Sequence, residues 1–154
     1  MRPPMPTTTF SRTLLITLAL ASSHSNAEDY AQPLPESLPG ITSISAEALA
    51  EKLVSGNAMI VIDARVATGR RKGYIEGSLH LADVDTNCAS LAKAIPQRDT
   101  ATVFYCTSSK CGRSLNALKI AQSCDYRNVY WFRGGFEEWQ NKGYPYVSAN
   151  VSAR

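Results

Sequence analysis

Apolar and polar residues fall in blocks along this chain, and each block predicts an element. Ala58-Met59-Ile60-Val61-Ile62-Asp63 is an apolar run bounded by polar residues, the pattern of a strand buried on both faces. Ala101 to Tyr105 and Asn128-Val129-Tyr130-Trp131-Phe132 read the same way, rich in β-branched and aromatic residues. Helical spacing predicts a helix over 46–54, capped by Ser45 and ended by Gly56, with Leu49, Leu53 and Val54 on its apolar side. A short helix over 88–95 is stopped by Pro96. A third helix over 114–123 carries Leu115, Ala117, Leu118, Ile120 and Ala121 at the right intervals. A fourth over 136–142 is closed by Gly143 and Tyr144-Pro145, with Phe136 and Trp139 on one face as core.

The stretches between are shorter. Residues 66–72 are basic and loop-like, with Arg70, Arg71 and Lys72 making either a solvated face or an anion-attracting rim. Gly73 to Ser78 is turn chemistry leading into a short strand, Leu79-His80-Leu81, where His80 has a structural reading. Strands alternating with helices predict an α/β fold, a mainly parallel central sheet with helices on both faces. That domain is expected over 44–148, after an extended leader at 28–43 marked by Pro33, Pro35 and Pro39, and before a tail at 149–154.

Composition narrows the class. At 44% hydrophobic and 19% charged over 154 residues, the chain has the balance of an ordinary globular protein of one domain. The net charge of +3 is mild, and Arg2 and Arg12 fall in the N-terminal segment. No block of like charge points to nucleic acid or an anionic membrane. Residues 1–27 read as a signal peptide: a basic start, the apolar core Leu14-Leu15-Ile16-Thr17-Leu18-Ala19-Leu20-Ala21, then Ser25-Asn26-Ala27. Cleavage is expected before Glu28, with cleavage after Ala21 or an uncleaved anchor as alternatives. The expectation is an exported, bacterial periplasmic protein, off the membrane once cleaved.

Export makes disulfides possible for Cys88, Cys106, Cys111 and Cys124, which can pair in three ways. No C-x-x-C pair occurs and the histidines are His24 and His80 alone, so no metal site or cofactor is expected.

The chemistry concentrates in Val103 to Ser114. Cys106 falls at the carboxyl end of a strand with a helix N-terminus just beyond, where unpaired amides and the helix dipole favour a thiolate. Settings of this kind lower a cysteine pKa below its ordinary value of about 8.5. Lys110 and Arg113 add positive charge. Asp63 and Arg65 sit past the end of another strand, the edge where ligands gather in α/β sheets, and also read as an ion pair fixing the turn. Gly134-Gly135 permits a tight turn or a close backbone approach.

The order of five pieces carries a resemblance. They are Val61-Ile62-Asp63-Ala64-Arg65, Gly73-Tyr74-Ile75-Glu76-Gly77-Ser78, Tyr105-Cys106 with Gly112-Arg113-Ser114, Asn128-Val129-Tyr130 and Gly134-Gly135-Phe136-Glu137-Glu138-Trp139. Over residues 44–147 the chain resembles the rhodanese-like (sulfurtransferase) domain family. The resemblance implies an α/β fold in which Cys106 accepts sulfane sulfur as a persulfide and passes it to a thiol or to cyanide. Thr107, Ser108, Ser109, Lys110, Cys111 and Gly112 would form a cradle of backbone N–H groups. Lys110 and Arg113 would hold an anionic donor such as thiosulfate, a persulfide or a polysulfide.

Here six residues separate Cys106 from Arg113, two more than in a common form of the family, and Tyr74 stands where the family usually has histidine. That spacing also differs from the five residues of the related cysteine phosphatases. Cys111, within the loop, is either a small filler, a partner for another cysteine, or a resolving thiol for Cys106. Two other functions stay open: a thiol–disulfide oxidoreductase using Cys106 and Cys111, served by a thiol redox protein, and a non-catalytic binding module.

Overall fold

The structure is a computed structural model that describes residues 33–56 and 58–148. The expected signal peptide, the first residues of the leader and the tail at 149–154 lie outside the described residues. Among the described residues seven strands and five α-helices follow in chain order, with a 3-10 turn at Asp83–Asp85 besides: β1 Thr42–Ser43, α1 Ala46–Val54, β2 Ile60–Asp63, α2 Ala67–Arg70, β3 Gly73–Ile75, β4 Leu79–His80, α3 Cys88–Ala94, β5 Thr102–Tyr105, α4 Arg113–Ser123, β6 Val129–Phe132, α5 Gly135–Asn141 and β7 Tyr146–Ser148.

Five strands form one parallel sheet in the order β1-β6-β5-β2-β4. Side chains of successive strand residues point to opposite faces, and the apolar runs are long enough to fill both. On one face Ile62, Phe104, Val129 and Trp131 pack under Leu91 of α3 and Leu115, Leu118 and Ala121 of α4. On the other, Val61, Val103, Tyr105 and Phe132 pack against Ala46 and Leu49 of α1 and Phe136 and Trp139 of α5. β5 is central and all four of its residues are buried. A mainly parallel α/β sheet covered on both faces is therefore the fold.

Ser45 caps α1 as expected, its hydroxyl accepting from the amide of Ala48. Three features differ from the sequence reading. Residues 66–72 are not simply a loop, because Ala67–Arg70 closes into the short helix α2 with bonds from Arg70 and Arg71 back to Val66 and Ala67. β3 pairs antiparallel with β7 in a separate ribbon, which block patterning could not register across so many residues. β1 lies inside the expected leader and pairs with β6.

The described part of the leader before β1 is strapped down. Leu34 lies beside Gly112 at the start of α4, while Pro39 accepts from Gln122 near the helix's other end (2.8 Å). Arg133, just after β6, donates to the carbonyls of Leu34 and Pro35 and pairs with Glu36.

A disulfide joins Cys88, the first residue of α3, to Cys124, which ends α4, with Cα atoms 5.5 Å apart. It staples the two helices of one face across a separation of 36 residues. Cross-links of this span stabilise by about 2–4 kcal/mol, largely by restricting the unfolded chain. We expect Cys88→Ser with Cys124→Ser to lower unfolding free energy by that amount in urea titrations without altering the reactions of Cys106.

Candidate active site: the Cys106 loop

Cys106 follows the last residue of β5 and is buried, 1% exposed. Residues 107–112 carry the chain to Arg113, where α4 begins with Gly112 at its N-cap. Helix α5 fixes the start of this loop. The amide of Phe136 donates to the Cys106 carbonyl (2.9 Å) and that of Glu137 to the Thr107 carbonyl (2.8 Å). In a trans peptide the N–H points opposite to the preceding C=O, so these bonds aim the N–H groups of Thr107 and Ser108 away from α5.

Only a glycine permits the approach. Gly135 has φ +67°, and a Cβ there would lie 2.6 Å from the Cys106 oxygen and 2.8 Å from the Thr107 carbonyl carbon. The close backbone approach expected at Gly134-Gly135 is thus made by Gly135.

The far limb of the loop turns back on itself. The amide of Cys111 donates to the Ser108 carbonyl (3.0 Å), and a disulfide joins Cys111 to Cys106 with Cα atoms 6.1 Å apart. Of the three pairings open to the four cysteines, the structure has Cys88–Cys124 with Cys106–Cys111. The start of α4 is seated from below, because the buried indole N–H of Trp131 donates to the Ser114 hydroxyl (3.0 Å).

The two cations assigned to the loop part company. Lys110 is exposed at the loop's tip. Arg113 is half-buried and pairs with Asp83 (2.6 Å), a partner thirty residues earlier that no local pattern marked. Arg113 and Thr107 share a cavity of about 170 Å³ with Arg65, Val66, Thr68, Gly69 and Lys72. The stretch after β2, read as a solvated face or anion rim, so forms one wall of the space next to the loop. Ser108, Ser109, Lys110 and Gly112 do not line it.

Beneath the loop lies a buried polar network. Asp63 is fully buried and Arg65 is 3% exposed. Arg65 grips the carboxylate twice, Nε to Oδ1 (2.9 Å) and Nη2 to Oδ2 (2.6 Å), and its own amide adds a third bond. Arg70 (3.1 Å) and the Tyr105 hydroxyl (2.9 Å) also donate to Oδ2. Arg65 continues to the Gly73 carbonyl and Arg70 to Ser78, so α2, β3 and the approach to β4 are bound to one group. His80, as its structural reading implied, meets the Arg65 carbonyl (2.8 Å).

Burial by itself would raise the Asp63 carboxyl, but the hydrogen bonds and charge of Arg65 outweigh it and hold Asp63 below the ordinary carboxylate range. Burial, and then the Asp63 charge, push the Tyr105 phenol upward, so it stays a neutral donor. The Asp63–Arg65 ion pair expected from the sequence is present, and it supports the loop through Tyr105, the neighbour of Cys106.

Comparison with known proteins adds to this geometry. The sequence model of the rhodanese-like domain family matches residues 45–142. A Bacillus halodurans protein superposes with a TM-score of 0.64 at 18% identity, over 70% of this chain and 77% of its own. A rhodanese-like domain from Anabaena gives 0.60 at 19% identity, over 71% of this chain and 81% of its own. A thiosulfate sulfurtransferase of Pseudomonas aeruginosa gives 0.62 at 16% identity, over 71% of this chain but 20% of that protein. At such identities these structures share the fold. No curated protein matches the sequence.

Two outcomes test the supports. Asp63→Asn leaves the buried Arg65 charge unpaired, which costs about 3–5 kcal/mol, read from urea unfolding at neutral pH. Because the folded-state pKa of Asp63 is depressed, its contribution is complete above the unfolded value of about 3.9 and is lost as pH falls through the folded one. Stability of the variant should therefore fall less steeply than that of the parent as acid is added below about pH 4. Gly135→Ala combines left-handed strain with a backbone clash, and we expect it to cost about 2–4 kcal/mol in the same assay.

Proposed function

We propose, from the premise that the chain belongs to the rhodanese-like domain family, that it is a sulfurtransferase carrying sulfane sulfur on Cys106. The observation that carries this reading is the setting of Cys106: the end of a central parallel strand, in a loop whose first carbonyls are held by α5 and which runs into the N-terminus of α4. Amide donors facing away from α5 and the helix dipole both favour a thiolate over a thiol.

In the reduced protein the Cys106 thiolate attacks the outer sulfur of thiosulfate, a persulfide or a polysulfide. The donor's sulfur–sulfur bond breaks, its electron pair leaves with sulfite, a thiolate or a polysulfide one sulfur shorter, and Cys106 holds a persulfide. A thiol or cyanide then attacks the outer sulfur and expels the Cys106 thiolate. Splitting the transfer through a covalent intermediate replaces one difficult step by two easier ones. Thr107, Ser108, Ser109 and Gly112 supply cradle donors, and Lys110 and Arg113 attract the anionic donor. Lys72 and Thr68 share the cavity with Arg113 and extend that role. Asp63 and Arg65 position the loop from beneath. No cofactor enters.

The Cys106–Cys111 disulfide favours a second use of the same site. The Cys111 thiolate attacks the inner sulfur of the Cys106 persulfide, hydrosulfide leaves, and the loop disulfide remains. A thiol redox protein then restores both thiols. The same pair, without sulfur transfer, would make a thiol–disulfide oxidoreductase. The signal-like segment at 1–27 supports a reading in which this chemistry takes place outside the cytoplasm, in a bacterial periplasm.

Mass spectrometry separates these readings. Reduced protein incubated with thiosulfate, polysulfide or glutathione persulfide should gain one sulfur atom, and Cys106→Ser should gain none. In Cys111→Ser the persulfide should persist, and hydrosulfide release without added thiol should drop to background. An oxidised loop pair formed without hydrosulfide release, with no persulfide in Cys111→Ser under any donor, would leave only the oxidoreductase. No change with any donor or oxidant would leave a binding module.

A further inference from the structure

The two sulfurs of the loop disulfide are unequal targets. Cys106 is 1% exposed and continues β5, with its carbonyl tied to Phe136 and the next one tied to Glu137. Cys111 is only half-buried, on the outer limb of the loop between exposed Lys110 and the side-chain-free Gly112. We infer that a thiol reductant opens this disulfide at Cys111, so that Cys111 becomes covalently joined to the redox partner and Cys106 is the sulfur released. This rests on the reading that the pair is formed and reopened as part of the protein's work.

Thiol–disulfide exchange is attack by a thiolate on one sulfur, roughly in line with the bond that breaks, and its rate depends on access to that sulfur and on the thiolate expelled. Access favours Cys111. Cys106 is buried in the oxidised loop, so little of its sulfur is open to an arriving thiolate, whereas Cys111 is half-buried. Charge favours Cys111 as well, because Lys110 adds positive charge beside the arriving thiolate. The leaving group forms on Cys106, at the head of a loop whose first amides face away from α5, a setting that favours negative charge.

The electrons balance in two steps. The partner's thiolate bonds to Cys111 Sγ, the Cys106–Cys111 bond breaks, and its electron pair departs as the Cys106 thiolate. A second thiol of a dithiol partner, or of a second small-molecule reductant, attacks the partner sulfur of the mixed disulfide and releases the Cys111 thiolate. The loop disulfide is reduced and one pair of external thiols is oxidised. The nucleophile is free after the first step, while Cys111 is still covered by the partner.

Trypsin makes the test direct. Cleavage after Lys110 and Arg113 separates Cys106 from Cys111, and the Cys88 and Cys124 peptides differ from both. Oxidised full-length protein is mixed with excess glutathione, quenched in acid within seconds, alkylated and digested. The glutathione adduct is expected on the Cys111-Gly112-Arg113 peptide in at least about tenfold excess over the Cys106 peptide. An adduct mainly on the Cys106 peptide, or shared evenly, overturns the inference. Sulfur loading of Cys106 in reduced protein is measured in parallel. If Cys106 takes up sulfur yet carries the adduct, this inference alone falls. If Cys106 takes no sulfur and both loop cysteines are alkylated without any reductant, the reading beneath it falls too.

Discussion

A single buried carboxylate holds together the edge of the sheet on which the reactive loop stands. Asp63 ends β2 and accepts from Arg65, Arg70 and Tyr105, which lie respectively in the turn after β2, in α2 and at the end of β5. An ion pair this deep gains little net stability over well-packed apolar residues, since both charges lose their water. What it provides is position. Tyr105 cannot shift without breaking its bond to Asp63, and Cys106 is the next residue.

Above that foundation the loop is held at both ends and closed across the middle. The α5 amides take its first carbonyls, Trp131 seats Ser114 in the first turn of α4, and the disulfide ties Cys111 back to Cys106. Spending the carbonyls on α5 is what leaves the amides of the same peptides turned the other way. The sulfur chemistry proposed for Cys106 needs those donors held in advance, because a persulfide or a leaving thiolate is an anion that must be stabilised where it forms.

Much of this was legible because it is local or periodic. The apolar runs at 58–63, 101–105 and 128–132 could only be strands of a buried sheet, and Ser45 before an amphipathic run could only cap a helix. Asp63 with Arg65 is two residues apart at a strand end, so its ion pair also showed. Gly135 betrayed a close approach without revealing what approached. What stayed hidden depends on distance in sequence. Asp83 meets Arg113 only because the fold brings them together. The pairing of β3 with β7, the Cys88–Cys124 disulfide and the wall that α2 gives the cavity are likewise products of topology. Within the basic run at 70–72, Arg71 and Lys72 are exposed as a solvated face would have them, but Arg70 is largely buried, satisfied by Asp63 and Ser78 and stacked on Tyr74, which charge alone cannot signal.

The strap from Leu34 to Pro39 has a consequence for crowding at the site. Because it lies along α4 with Leu34 beside Gly112, the described chain begins at the same pole of the domain as the loop. The strap therefore takes up surface beside the end of the loop that leads from Cys106 into α4. On the proposed reading, a small donor or thiol meets less of that strap than a folded protein acceptor would. Molecular size, apart from chemistry, would then filter the acceptors that the loop can serve.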